Sequence, residues 1–215
     1  MDPWNWSRLP AGSFAVAIGM INTGKTALCR AFIKAQTLSD QTAGYVIHSA
    51  AEYDRRYTDF LPCDRVYDDY EMDTSGIIMR IKGVSSLQPP PAFVIIDDCT
   101  WDPAILKGPW FTQLLRYCKS NRITLLLTTP YAMGLPPRIT REVDAVFVLR
   151  ECHAANRRRI FDHYGIGLRD LDHLCEAMAT AIEPYHKSGE GGCLVLTSTA
   201  QYCWCVAPRK VNPMK

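Results

Sequence analysis

The most constraining feature of the sequence is a segment of eight residues that joins an apolar run to a stretch with helical periodicity. Residues 19–26 read GMINTGKT and match the pattern G-x-x-x-x-G-K-[ST]. The residues before them, 14–18, are FAVAI, and apolar side chains recur at helical spacing over 25–36. Glycines let backbone N–H groups turn inward, and a helix N-terminus adds partial positive charge. The sequence therefore predicts a strand, a loop that wraps phosphate groups, and a helix.

The positions of this loop have distinct expected contacts with a nucleoside triphosphate. Lys25 is expected to contact the β- and γ-phosphates, and Thr26 to bind Mg²⁺ through its hydroxyl. The expected ligands are therefore ATP and Mg²⁺. The other positions expected to surround the phosphates are Gly19, Asn22, Thr23, Gly24 and Ala27.

A second chemical signal is the pair of carboxylates that ends the apolar run FVIIDD at residues 93–98. Ligands bind beyond the ends of strands in open parallel sheets. Asp97 is expected to support Mg²⁺ through its water shell, and Asp98 to orient or deprotonate the water that attacks the γ-phosphate. Adjacent strand residues face opposite sides, so both serve one site only if Asp98 already lies in the turn. At the tip of the fourth strand, Thr128 and Thr129 offer hydroxyls for sensing the γ-phosphate, and we assign that role to Thr129.

Short apolar runs alternate with helix-length segments along the chain, which is typical of a parallel sheet built from strand–helix–strand units. The runs are almost wholly apolar, as strands buried on both faces should be. We predict strands at 14–18, 44–48, 93–96, 123–127 and 145–149, helices at 25–36, within 72–87, at 109–121, 153–164 and 168–182, a flexible loop at 189–192, and a hairpin of 193–197 with 201–206.

The predicted fold is an α/β P-loop domain with a mainly parallel sheet and helices on both faces. An extra strand, 44–48, lies between the phosphate-loop strand and the Asp97 strand. We divide the chain into an N-terminal leader, a core, and a C-terminal extension of the same domain with helices and a hairpin, at residues 1–12, 13–151 and 152–215.

Composition limits the possible functions. The net charge of +2 gives no bulk reason to expect nucleic acid or an anionic membrane as a partner, so any such contact needs a local patch. Nine cysteines without a CxxC pair favour reduced thiols, and we read Cys193, Cys203 and Cys205 as core packing. The sequence lacks a signal-peptide pattern or a run long enough to span a membrane. We therefore expect a soluble intracellular protein that does not act in a membrane.

With these elements in order, the chain resembles the genome-packaging ATPases of poxviruses, other large DNA viruses and Polinton-type elements, within the FtsK/HerA group of RecA-like P-loop proteins. The resemblance spans nearly the whole chain. It rests on GMINTGKT, on FVIIDDC at 93–99, on the run at 121–151, and on the C-terminal segments NRRRIFDHYG and CLVLTSTAQYCWCVAP.

The resemblance implies a ring-shaped homo-oligomer, a hexamer or pentamer, that moves double-stranded DNA into a capsid. Its partners would be DNA and capsid components, in the cytoplasm or nucleus of an infected cell and in the assembling virion. It also implies an arginine finger after the paired prolines, for which Arg141 is preferred over Arg138. One departure is Pro130, which stands where the family usually carries a glutamine.

Two other functions are compatible with the phosphate loop. A small-molecule kinase shares the loop and a similar size, although paired carboxylates after the third predicted strand suit a hydrolase better. A nucleotide-binding assembly module that does not hydrolyse ATP is the other alternative, because Pro130 removes the amide.

Overall fold

The computed structural model describes residues 1–37, 44–49, 56–68, 93–99, 106–132, 135–187 and 191–207. Within them the strands form one sheet of order β3-β2-β4-β5-β1-β6-β7-β8. The pairs from β3 to β6 are parallel, whereas β7 pairs antiparallel with β6 and with β8. The strands are β1 Phe14–Ile18, β2 Gly44–His48, β3 Val66–Asp68, β4 Phe93–Asp97, β5 Thr124–Thr129, β6 Ala145–Val148, β7 Gly191–Thr197 and β8 Tyr202–Ala207.

Helices cover both faces of this sheet, which explains why the central parallel strands are buried along their whole length. One face packs against α1 and the apolar side chains of residues 57–61. The other face packs against the four remaining described helices. The helices are α1 Lys25–Thr37, α2 Pro109–Ser120, α3 Pro137–Thr140, α4 Ala154–Tyr164 and α5 Leu171–Lys187, with short 3-10 turns at Trp6–Arg8 and Cys63–Arg65. The predicted α/β class with a mainly parallel sheet is confirmed.

The five predicted apolar runs correspond to β1, β2, β4, β5 and β6. The sequence prediction missed β3, whose three residues pair with the outer side of β2. The strand at 44–48 does come between β1 and β4 along the chain. In the sheet, however, β5 lies between β1 and β4, and β2 lies on the outer side of β4. This order places the tip of β5 between the phosphate loop and Asp97.

The C-terminal region belongs to the same sheet, because β7 pairs with β6. The predicted hairpin is present, but Gly191 and Gly192 lie in β7 rather than in a flexible loop. A Cβ at Gly192 would lie 2.4 Å from the carbonyl oxygen of Ala181 and 2.9 Å from Cα of Ile182. The glycine therefore lets α5 pack directly on the strand.

One prediction, the helix within residues 72–87, lies outside the described residues. The described helices at 109–120 and 154–164 agree with their predictions to within one residue, whereas the helix at 171–187 begins three residues and ends five residues later than predicted.

The N-terminal segment, predicted as a leader, packs on the domain. The backbone N–H of Trp4 donates to the carbonyl oxygen of Trp204 at 2.7 Å, and the backbone N–H of Trp204 donates to the carbonyl oxygen of Asp2 at 3.1 Å. The ring of Trp6 lies 5.3 Å from the ring of Phe32 on α1 and 5.2 Å from that of Phe147 on β6. The segment therefore covers the outer strand β8 and part of the α1 face.

All nine cysteines lie in described residues and all are free thiols. Cys193, Cys203 and Cys205 are buried in the core on the α1 face, as predicted. Among the described residues, no helix combines the length and the apolar character needed to cross a membrane.

The packing of Trp6 predicts a measurable contribution to stability. Trp6→Ala is expected to lower the free energy of unfolding by about 2 kcal/mol, because it removes a half-buried ring between Phe32 and Phe147. Urea denaturation measures this. Ile166→Ala is the control, because that side chain is 62% exposed and should cost less than about 0.5 kcal/mol. Equal effects for the two variants would contradict the structural role of the N-terminal segment.

Candidate nucleotide site

The phosphate loop joins β1 to α1 at the C-terminal edge of the sheet. Its backbone needs two left-handed residues, Asn22 with φ of 62° and Gly24 with φ of 110°. A side chain is strained at the second of these, so glycine is the residue that fits there. Because α1 begins at Lys25, the N–H groups of its first turn, including that of Ala27, have no acceptor within the helix. Such groups are a ready anion site.

Side-chain bonds hold the loop closed. Thr23 Oγ1 donates to the carbonyl oxygen of Met20 at 2.7 Å. Lys25 Nζ donates to the carbonyl oxygens of Gly19 at 2.8 Å and of Met20 at 2.9 Å. Burial lowers the pKa of Lys25, and the negative charges of Asp97 and Asp98 oppose that effect. The loop therefore curls around an ammonium group that faces two carboxylates.

The carboxylate of Asp97 is buried and accepts hydrogen bonds from three hydroxyls. Thr26 Oγ1 donates to Oδ2 at 2.8 Å, and Tyr57 Oη donates to the same oxygen at 2.7 Å. Thr128 Oγ1 donates to Oδ1 at 2.7 Å. The phosphate loop and the end of β4 are thus in direct contact, as the sequence predicted from the two motifs.

Asp98 lies outside β4, in the left-handed region with φ of 58°, and its side chain is exposed. This is the turn position required for both carboxylates to face one site. Its N–H donates to Thr128 Oγ1 at 3.0 Å, so the hydroxyl of Thr128 connects Asp98 to Asp97.

A cavity of about 590 Å³ opens over these groups. Two arginines also line it. Arg30 Nε donates to the carbonyl oxygen of Arg56 at 2.7 Å, and its guanidinium lies 5.7 Å from the centre of the Phe60 ring. The remaining lining residues are Ile21, Asn22, Gly24, Lys25, Thr26, Ala27, Asp97 and Asp98.

The two threonines at the tip of β5 have different surroundings. Thr128 Oγ1 donates to the carboxylate of Asp97, whereas Thr129 Oγ1 donates to the carbonyl oxygen of Tyr131 at 3.0 Å. The backbone carbonyl of Thr129 accepts the N–H of Gly19 at 3.2 Å. Thr129 therefore supports the loop through its backbone, and its hydroxyl is engaged locally, so Thr128 is the threonine whose side chain belongs to the site.

Neither arginine candidate lies near the phosphate loop of its own chain. Both belong to the segment before Asp144, whose N–H donates to the carbonyl oxygen of Phe14 at the opposite end of β1. A strand of five residues spans roughly 15 Å, which separates them from the loop. Arg138 Nη2 donates to Thr112 Oγ1 at 3.1 Å. The exposed side chain of Arg141 makes no hydrogen bond or ion pair with the described part of the chain.

Sequence reasoning missed two residues of the site, Tyr57 and His48. His48 Nδ1 lies 3.1 Å from the carbonyl oxygen of Asp97. It ends β2 at the same edge as Asp97, so the strand-end rule would have found it. Tyr57 lies in a segment without a motif. Burial, aided by the negative charge of Asp97, raises the pKa of Tyr57 well above its ordinary value, so its hydroxyl remains a donor.

The oxygen donors here fit a hard divalent cation. No cluster of three or more His, Cys, Asp or Glu side chains among the described residues is arranged to hold a metal by itself. Mg²⁺ is commonly bound by one or two protein oxygens together with substrate phosphates and water. Thr26 and Asp97 provide such a partial set, so these residues fit Mg²⁺ accompanied by a nucleotide.

Comparisons by sequence find viral proteins. No protein-family model matches the chain. The uncharacterized protein 075L of Invertebrate iridescent virus 6 is 27% identical over 218 residues, which cover 95% of this chain and 81% of that protein. The uncharacterized protein 088R of Invertebrate iridescent virus 3 is 29% identical over 157 residues, which cover 71% of this chain and 59% of that protein.

Comparisons by structure find packaging enzymes. The DNA-packaging ATPase B204 of Sulfolobus Turreted Icosahedral Virus superposes with a TM-score of 0.63 at 13% identity, covering 95% of this chain and 100% of that one. The genome packaging NTPase B204 of Sulfolobus turreted icosahedral virus 2 gives 0.65 at 14% identity for its sulfate complex, covering 96% and 99%. Its ATP-gammaS complex gives 0.63 at 15%, covering 89% and 95%. The chain therefore has the fold of these viral genome-packaging NTPases.

Proposed function

We propose that the protein is an ATP-hydrolysing motor that packages double-stranded viral DNA into a capsid. The observation that carries the proposal is the contact of Thr26 with Asp97 beside a phosphate loop of the expected conformation. The B204 proteins supply the reason for preferring packaging, since they share the fold and have been solved with ATP-gammaS and AMPPCP. The FtsK/HerA assignment is part of this proposal.

Nucleotide binding uses groups that already converge. The N–H groups of residues 24–27 surround the phosphates, and Lys25 exchanges its bonds to the loop carbonyls for bonds to phosphate oxygens. Thr26 and Asp97 are the residues that would hold Mg²⁺. The chemistry supplied by the bound ion is neutralisation of charge on the β- and γ-phosphates.

Hydrolysis needs a base outside the phosphate loop, and Asp98 meets that requirement. Its carboxylate is exposed and lines the cavity. It orients a water molecule whose oxygen bonds to the γ-phosphorus while the bond to the β–γ bridging oxygen breaks, and it accepts the proton that the water releases. The products are ADP and inorganic phosphate.

The wider assembly is proposed by analogy with the packaging enzymes. It is a ring of identical chains, a hexamer or pentamer, that contacts DNA and capsid components during virion assembly in the infected cell. Arg138 and Arg141 lie at the end of the sheet opposite the phosphate loop. Either of them can therefore act as an arginine finger only on the nucleotide of a neighbouring chain. Arg141 is preferred, because Arg138 is bonded to Thr112.

A nucleotide-binding module without turnover is the second candidate. It is favoured by Pro130 and by the local hydrogen bond of the Thr129 hydroxyl, which together leave the tip of β5 without a side-chain amide.

The deciding experiment measures phosphate release by the full chain with Mg-ATP, with and without double-stranded DNA, together with mass in solution. Stimulation by DNA in a closed oligomer supports the motor. Tight binding without release supports the non-hydrolysing module. Phosphoryl transfer that requires an added small-molecule acceptor would favour the kinase.

Removal of the proposed base gives the first test of the mechanism. Asp98→Asn is expected to lower the rate of hydrolysis by about 100-fold or more and to leave ATP affinity nearly unchanged, because the amide cannot accept the proton. Asp59→Asn, a change at another exposed aspartate, is the control and should keep the wild-type rate. Wild-type hydrolysis by Asp98→Asn would exclude Asp98 as the base.

The proposed finger gives a second test. Arg141→Ala is expected to reduce turnover by about 1,000-fold without weakening ATP binding, because it removes a guanidinium that acts on the neighbouring chain. Mixed oligomers of Arg141→Ala and Asp98→Asn chains should be more active than either variant alone, since some sites then receive both intact groups. No gain on mixing would argue against a finger in trans.

A further inference from the structure

The carboxylate of Asp97 accepts one hydrogen bond from a residue that belongs to neither the phosphate loop nor the neighbouring strand β5. Thr26 comes from the phosphate loop and Thr128 from the adjacent strand β5, but Tyr57 comes from a separate segment between β2 and β3. Thr26 and Tyr57 donate to the same oxygen, Oδ2, at 2.8 and 2.7 Å. The proposed function assigns no role to this third donor.

The phenol of Tyr57 is fixed from several sides. The side chain is fully buried in the core on the α1 face. Its ring meets the ring of His48 edge to face at 5.8 Å. Its backbone carbonyl accepts the N–H groups of Phe60 and Leu61, each at 2.9 Å, which closes a turn. Its hydroxyl is therefore delivered to Asp97 by a part of the chain that is itself well packed.

Core packing does not explain the hydroxyl. A phenylalanine would fill nearly the same space without burying a polar group, and a buried hydroxyl is tolerated because it is hydrogen-bonded. A hydrogen bond to a charged group contributes more than one between neutral groups. The Tyr57 hydroxyl donates to Asp97 Oδ2, the same oxygen that accepts the hydrogen bond from Thr26. Tyr57 therefore acts on Thr26 and Asp97, the two residues expected to hold the metal.

We infer that Tyr57 is a positioning residue for metal-dependent nucleotide binding, acting by holding the Asp97 carboxylate against Thr26. This inference rests on the proposed function and adds to it a residue outside the recognised motifs. The expected effect of Tyr57 is on the Mg²⁺ concentration that nucleotide binding needs. It assigns Tyr57 no contact with the nucleotide.

The test titrates Mg²⁺ against binding of a fluorescent ATP analogue to the full chain, so that the measurement does not depend on turnover. Tyr57→Phe is expected to raise the Mg²⁺ concentration at half-maximal binding by about tenfold and to leave affinity in EDTA unchanged. Tyr164→Phe is the matched control. It also removes a hydroxyl from a buried tyrosine, but Tyr164 lines a different cavity, at the opposite edge of the sheet.

A double-mutant cycle separates positioning from general loosening of the fold. In an Asp97→Asn background, Tyr57→Phe should cause little further change in Mg²⁺ dependence, because its effect passes through the carboxylate. Thermal unfolding of each variant checks that the chain is folded. An additive effect in the Asp97→Asn background would overturn the inference.

The remaining outcomes also discriminate. If the wild-type protein binds the analogue in a Mg²⁺-dependent way and Tyr57→Phe matches Tyr164→Phe, the inference fails and the proposed function stands. If the wild-type protein shows no Mg²⁺-dependent binding, both fail.

Discussion

The hydrogen bond between Thr26 Oγ1 and Asp97 Oδ2 is the contact on which the rest of the site depends. It joins residues 71 positions apart, on α1 and at the end of β4. Helix α1 follows β1, and Asp97 is the last residue of β4. These two strands are not neighbours in the sheet, because β5 lies between them and separates them by about 10 Å. The tip of β5 therefore lies between the two partners of the contact. There Thr128 donates to the other carboxylate oxygen of Asp97.

Local patterns predicted the phosphate loop and the strands β1, β4 and β5, because the relevant signals are contiguous. Buried parallel strands are continuous apolar runs, and the loop follows one of them. Tyr57 and β3 could not be found in this way. Their places depend on tertiary contacts, because residues 57–61 pack with α1 on one face of the sheet and β3 pairs with β2. Nothing in the sequence around YTDF marks Tyr57 as a donor to Asp97. Similarly, the N-terminal segment lacks a periodic pattern, and the packing partners of Trp6 lie far away in the sequence.

The two edges of the sheet have different chemistry. The C-terminal edge of the parallel strands carries the loop, both carboxylates and the cavity lined by Arg30 and Arg56. The opposite edge carries Arg141, beside a second cavity of about 430 Å³. Because the length of the parallel strands, roughly 15 Å, separates these two ends of the sheet, Arg141 lies far from the phosphate loop of its own chain. If Arg141 acts in hydrolysis, the active unit is at least two chains arranged head to tail, which is the contact that generates rings.

Pro130 follows directly after the tip of β5. Proline supplies no side-chain donor, and the Thr129 hydroxyl is bonded to Tyr131. Among the described residues of that strand tip, Thr128 is thus the side chain that donates to the carboxylate of Asp97. Its hydroxyl accepts the N–H of Asp98 and donates to Asp97, so any displacement of the Asp98 backbone changes the hydrogen bonding of the Asp97 carboxylate. The acidic pair is therefore a single unit, coupled through one hydroxyl, and substitutions in it are expected to be non-additive.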